Sequence, residues 1–202
     1  MTEKKRRNPK QDRAQATVEA ILEAAFQILE ADGLAKLTTS RIAERAGVSI
    51  GTLYQYFRDK DAILAAMGQR QSDEMREKIT AIVLDASGRA GVRDIVRALM
   101  GGLQGSPETR MVLSDALFRS GGEGVVGRQH LTFLDSISGR RDFDFPLGKE
   151  SAFILTHAVI YLLRAAAAEP ELALDPAVLE DELVHLMESY IASLAARAAP
   201  GA

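Results

Sequence analysis

An all-α fold is predicted from three observations in this 202-residue chain. Apolar residues recur at three- and four-residue spacing over long stretches, most clearly at Val18, Ile21, Leu22, Ala25, Phe26, Ile28 and Leu29 and again at Leu179, Leu183, Leu186, Met187, Tyr190, Ile191 and Leu194. Glycine, proline and hydroxyl residues punctuate these stretches where helices start and stop. There is no series of short alternating segments from which a sheet could be assembled.

Residues 1–13 carry Lys4, Lys5, Arg6, Arg7, Lys10 and Arg13 around Asn8-Pro9 with no apolar pattern, which predicts a disordered basic arm. A first helix is predicted from Thr17 to about Asp32, with Gly33 ending it. Thr38, Thr39 and Ser40 each offer a hydroxyl to cap the next helix, whose Ile42, Ala43 and Ala46 fall on one side. Gly47 suits the left-handed geometry that closes that helix, Val48 plugs the angle, and Ser49 caps a short helix over about Ile50 to Phe57. Leu53 and Phe57, four apart, face inward and leave Thr52, Gln55 and Tyr56 outside. Asp59 or a neighbour starts a fourth helix that takes in Ile63, Leu64 and Met67 and continues through Met75, Ile79, Ile82 and Val83.

Past the Gly88 to Gly91 loop, Val92 to Leu103 is a helix with Ile95, Val96, Leu99 and Met100 inward. Ser106-Pro107-Glu108 is a strong helix start, because serine caps, proline fits the first position and a carboxylate favours the positive helix end. Gly121, Gly122 and Gly124 end that helix, a shorter one follows from Val125 to about Asp135, and Ser136 to Gly148 is a loop. The last two helices are predicted at about Lys149 to Ala168 and Pro176 to Ala198. Ala158 and Ala165 to Ala168 allow close helix approach, either within the chain or across a twofold axis.

Composition narrows the function. The chain has no cysteine, which excludes disulfides, thiolate catalysis and thiolate metal sites and is compatible with a cytoplasmic protein; no metal or cofactor is expected. No apolar run is expected to reach the roughly 20 residues that cross a bilayer, so no membrane partner is expected. Residues 1–60 hold 11 Lys and Arg against 8 Asp and Glu, whereas residues 61–202 hold 14 against 20. The basic end is therefore also the end with two short helices around a tight turn, the arrangement that puts one helix into the major groove of DNA. The arm is placed to lie along phosphates or to reach the minor groove.

The run LTTSRIAERAGVSIGTLYQYFRDKDAIL, Leu37 to Leu64, with G-V-S, G-T-L-Y-x-Y-F, x-x-K and x-x-I-L at these spacings, resembles the DNA-binding domain of TetR-type transcriptional repressors. The resemblance covers roughly Ala14 to Leu64, and beyond it only the helical plan is shared. It implies a basic arm (1–13), a helix-turn-helix DNA-binding domain (14–60) and a larger helical ligand-binding and dimerisation domain (61–202). It also implies a homodimer paired through the last two helices, double-stranded operator DNA as partner, and a small-molecule effector that releases the repressor from a palindrome.

From the face assignment and the resemblance together, Thr52 and Gln55 are expected at base edges, with Gly51 and Ile50 near the groove floor. Tyr54, Tyr56 and Lys60 are expected on phosphates, Thr38 and Thr39 on the same strand, and Ser40 or Arg41 at bases. One recognition helix of about eight residues spans only about 12 Å, so two half-sites are needed for usable specificity. Candidate effector contacts are Met75, Met100, Met111, Phe118, His130, Phe133, His157 and Tyr161, a mixture of adaptable apolar surface and a few polar groups.

The rival reading is a helical interaction protein or enzyme that kept a helix-turn-helix. Its sequence support is weak. Gly47-Val48-Ser49-Ile50-Gly51 fits G-x-S-x-G, but a nucleophile elbow needs a strand before the serine and this serine follows a helix. Gly122-x-Gly124-x-x-Gly127 fits a dinucleotide fingerprint without the βαβ unit that it requires. Glu182 and His185 have the spacing of a bundle metal site but lack the second such pair.

Overall fold

The structure, a computed structural model, describes residues 9–83, 91–102, 104–120 and 148–198. Every regular element among them is helical: α1 (Pro9–Asp32), a 3-10 turn (Leu34–Lys36), α2 (Thr39–Arg45), α3 (Ile50–Tyr56), α4 (Lys60–Val83), α5 (Val92–Met100), α6 (Pro107–Ser120), α7 (Lys149–Ala168), a second 3-10 turn (Pro170–Leu172) and α8 (Pro176–Ala198). The shorter helix and loop expected between Val125 and residue 147 lie outside the described residues.

Two boundaries and the apolar length of one helix differ from expectation. α1 begins at Pro9, not near Thr17, so Lys10 and Arg13 belong to a helix instead of the basic arm. Proline is pre-set for the first helical position, and the Gln, Arg and Ala that follow propagate a helix without needing an apolar stripe. α5 stops at Met100, where Gly101 and Gly102 close it with N–H bonds to Arg97 and Leu99 carbonyls. α7 is, by length and composition alone, apolar enough to cross a membrane, which corrects the expectation that no segment approaches this. Its Leu155 and Leu163 instead pack beside buried Val159 in a protein core.

The chain divides into two compact units. The first takes in the chain through Arg70 together with 105–120, and is therefore larger than the 14–60 suggested by the sequence. Its core joins Ile21, Ala25 and Ile28 of α1, Leu37, Ile42 of α2, Leu53 of α3, Phe57, and Ile63, Leu64 and Met67 of α4 to Leu113 and Ala116 of α6. α4 and α6 approach closely at Gly68, where a Cβ would lie 2.8 Å from the Leu113 carbonyl oxygen.

The start of α6 is tied to α1. Ser106 Oγ accepts from Thr109 N–H at 3.2 Å, the cap that the sequence predicts, while Ser106 N–H donates to the two Glu30 carboxylate oxygens at 2.9 and 3.0 Å. Gly105 precedes this cap with φ +102°, and a Cβ there would stand 2.7 Å from Glu30 Oε2 and 2.8 Å from Thr109 Cγ2. The Ser106 backbone N–H, then the Thr109 hydroxyl, hold the Glu30 carboxyl below its ordinary pKa. A depressed carboxyl contributes stability that is present above its unfolded pKa and is lost as pH falls through the lower folded value. Glu30→Gln should therefore melt below the wild type at pH 7, with the gap closing once pH drops below about 4.3, the ordinary glutamate value. Parallel melting curves from pH 7 to 3 check this, and a constant gap would contradict it.

The second unit contains the rest of α4 with α5, α7 and α8. α5 packs on α8 and α7, with Val96, Val159, Leu183, Val184 and Met187 buried. Arg93 reaches Glu180 at 2.6 Å and Asp181 at 2.7 Å, and Arg97 reaches Glu180 at 3.0 Å. Bonds from Arg97 and then Arg93 lower the Glu180 pKa, and bonds to Asp181 and then Glu180 raise that of Arg93. Buried Gln71 accepts from Gln104 N–H at 3.0 Å, fixing the segment after α5 to α4.

Candidate nucleic-acid interface

α2 and α3 are set by local chemistry. Thr38, of the three candidate hydroxyls, is the cap of α2, and its Oγ1 accepts from Arg41 N–H at 3.3 Å. At the other end Val48 N–H bonds to Ala43 O and Gly47 N–H to Glu44 O, the paired closure that needs a left-handed residue; Gly47 has φ +68°. Ser49 then caps α3, accepting from Thr52 N–H at 3.0 Å. Leu53, fully buried, anchors α3 from inside.

With Leu53 inward, the outer face of α3 carries the residues expected there. Ile50, Tyr54 and Tyr56 are 42%, 52% and 37% exposed, far above what large apolar or aromatic side chains show in a core, and Gln55 is exposed beside them. Tyr54 Oη lies 3.2 Å from Thr39 Oγ1, so the two hydroxyls bridge α2 and α3 on the outer surface. Thr52 is half-buried and its Oγ1 lies 2.8 Å from Ser49 Oγ. Ser40 is exposed on α2.

Two expected contacts have acidic neighbours. The Arg41 guanidinium is held by Asp32 at 2.7 Å and by the Lys36 carbonyl at 3.1 Å, so its reach to a base requires release of both. Lys60 is exposed at the first position of α4, but Asp59 Oδ1 already takes the Ala62 N–H there at 2.7 Å, so a phosphate at that helix end would face a carboxylate. Arg58, 86% exposed and paired to Asp59 at 3.1 Å, is a further cation in the α3–α4 link that the apolar pattern does not single out. Asp32 was equally invisible, since its partner stands nine residues away with no periodic relation.

The candidate effector contacts are dispersed. Met111, exposed, and Phe118, half-buried, lie on α6 in the first unit. Met75, Met100, His157 and Tyr161 lie in the second, and His130 and Phe133 fall outside the described residues. Met75 abuts Gly102, Met100 packs beside Val96, and buried His157 stacks between Phe153 and Tyr161 at ring-centre distances of 4.0 and 6.2 Å.

A family model described as bacterial regulatory proteins of the tetR family matches residues 21–67. The chain is 34% identical over 84 residues to the HTH-type transcriptional regulator BetI of Stenotrophomonas maltophilia, covering 42% of each protein. It is 41% identical over 51 residues to the tetracycline repressor protein class C of Escherichia coli, covering 25% of this chain and 23% of that one. The aligned part thus spans less than half the length of these relatives. A crystal structure of a TetR-family regulator from Streptomyces coelicolor superposes with a TM-score of 0.61 at 22% identity, covering 88% of this chain and 99% of that one, a likeness of fold.

Proposed function

We propose that this chain, whose helix-turn-helix DNA-binding domain matches the tetR family over residues 21–67, is a homodimeric repressor that leaves a palindromic operator when a small molecule binds. The observation that carries the reading is the outer face of α3, where Tyr54, Gln55 and Tyr56 stand exposed over a helix anchored by buried Leu53. Gln55 is the base reader, able to bond the N6 and N7 of adenine at once, and Thr52 joins it. Thr38, Thr39, Tyr54, Tyr56 and Lys60 are phosphate contacts that set the register, with Ser40 beside them. Arg41 joins only after leaving Asp32.

Dimerisation is assigned to α7 and α8. Phe153, Ile154, Tyr161 and Leu162 of α7 and Leu186 of α8 are all 45–52% exposed, which supports burial against a second copy. We assign the effector to the helical part beyond the DNA-binding unit, with Met75, Met100 and His157 as contacts, and the protein to the cytoplasm, where operator DNA is found. The relatives named above are regulators, and no enzymatic activity is proposed.

The test is selection of bound duplexes from a random pool at near-physiological salt. A palindrome is expected, and Gln55→Ala should relax preference at one base pair per half-site by about 1–3 kcal/mol. Binding without a common sequence would overturn the proposal.

A further inference from the structure

Gly51 has no role in the fold that requires glycine. It lies inside α3, its φ is not positive, and a Cβ there would meet only Ser49 Oγ at 3.8 Å, an ordinary contact. Alanine is the better helix residue at such a position, so the missing side chain is a cost within the chain and points to something approaching from outside. Gly51 and Gln55 are one helical turn apart, each about 200° round the helix from Leu53, and so share the outward ridge.

Ile50 and Thr52, the chain neighbours of Gly51, both carry methyl groups. Ile50 is an aliphatic side chain 42% exposed. The Thr52 hydroxyl lies 2.8 Å from Ser49 Oγ, which also accepts Thr52 N–H at 3.0 Å, so this contact turns the hydroxyl toward Ser49 and fixes the side chain that carries the methyl. Among the edges that base pairs present in the major groove, the 5-methyl of thymine is the apolar one.

We infer that α3 reads thymine through its 5-methyl group, seated on the bare Cα of Gly51 between the methyl groups of Ile50 and Thr52. Ser49 is a positioning residue for this contact, because its bond to Thr52 fixes that side chain. The inference rests on the DNA-binding reading above and adds the base that it recognises at this position.

The experiment uses the full chain and the selected operator, with each symmetric pair of thymines replaced in turn by deoxyuridine, which lacks only the methyl. One pair should weaken binding by roughly fourfold per half-site, the worth of one buried methyl group. Gly51→Ala should erase that thymine-to-uracil ratio while raising the Tm, since its Cβ fills the seat and improves the helix. Thr52→Val, which keeps a methyl and removes the hydroxyl, should retain the ratio whatever its absolute affinity. An operator that tolerates every replacement within twofold, or a Gly51→Ala protein that keeps the ratio, overturns the thymine seat and leaves the regulator reading intact. Failure to select any common sequence overturns both.

Discussion

Leu53→Ala is expected to lower the unfolding free energy by about 2–5 kcal/mol and to remove sequence-specific DNA binding. Leu53 is the buried residue of α3, fully enclosed in the core that Leu37, Ile42 and Phe57 also line. A seven-residue helix has too few hydrogen bonds to persist by itself, so its orientation depends on this anchor. Truncation removes three carbons and leaves a cavity beneath the reading face. Urea unfolding measures the first effect and binding to the selected operator the second. A cost below about 1 kcal/mol would mean that the turn, not the core, holds α3.

Gly105→Ala is the second large effect, for a different reason. A φ of +102° strains any residue with a Cβ, by about 1–2 kcal/mol, and this Cβ would also collide with Glu30 Oε2 and Thr109 Cγ2. The carboxylate must then leave the Ser106 N–H that it accepts from. Together, strain and collision should cost about 2–4 kcal/mol. Combining Gly105→Ala with Glu30→Gln should cost less than the sum of the two, because the first change already breaks the contact removed by the second. Strict additivity in melting experiments would show that Glu30 and Gly105 do not share this contact.

The sequence was most legible where structure is set by neighbours. Gly47, Ser49, Leu53 and Phe57 sit within eleven residues, and each acts through bonds or packing to positions three to five away, which is the range that periodicity and capping rules cover. The same rules placed the limits of α7 and α8. They missed the first two turns of α1, because charged helix formers after Pro9 carry no apolar stripe. They also missed α6 as part of the first unit, because Leu113 and Ala116 meet a core built from residues 21–67, and no local pattern reports a partner that distant. At the candidate interface the exposed residues of α3 followed from which side Leu53 had to face. The restraint of Arg41 by Asp32 did not, since it depends on how α1 and α2 meet.

The return of the chain to its first unit at residues 105–120 bears on how the protein is made. A ribosome that has just added Arg70 has supplied every part of the helix-turn-helix, yet Leu113 and Ala116, which complete its core, are still unwritten. At about 5–20 residues per second they follow several seconds later. For that interval the core shared by α1, α2, α3 and α4 lacks the part that Leu113 and Ala116 supply, and its final closure is timed by the synthesis of a helix outside the helix-turn-helix.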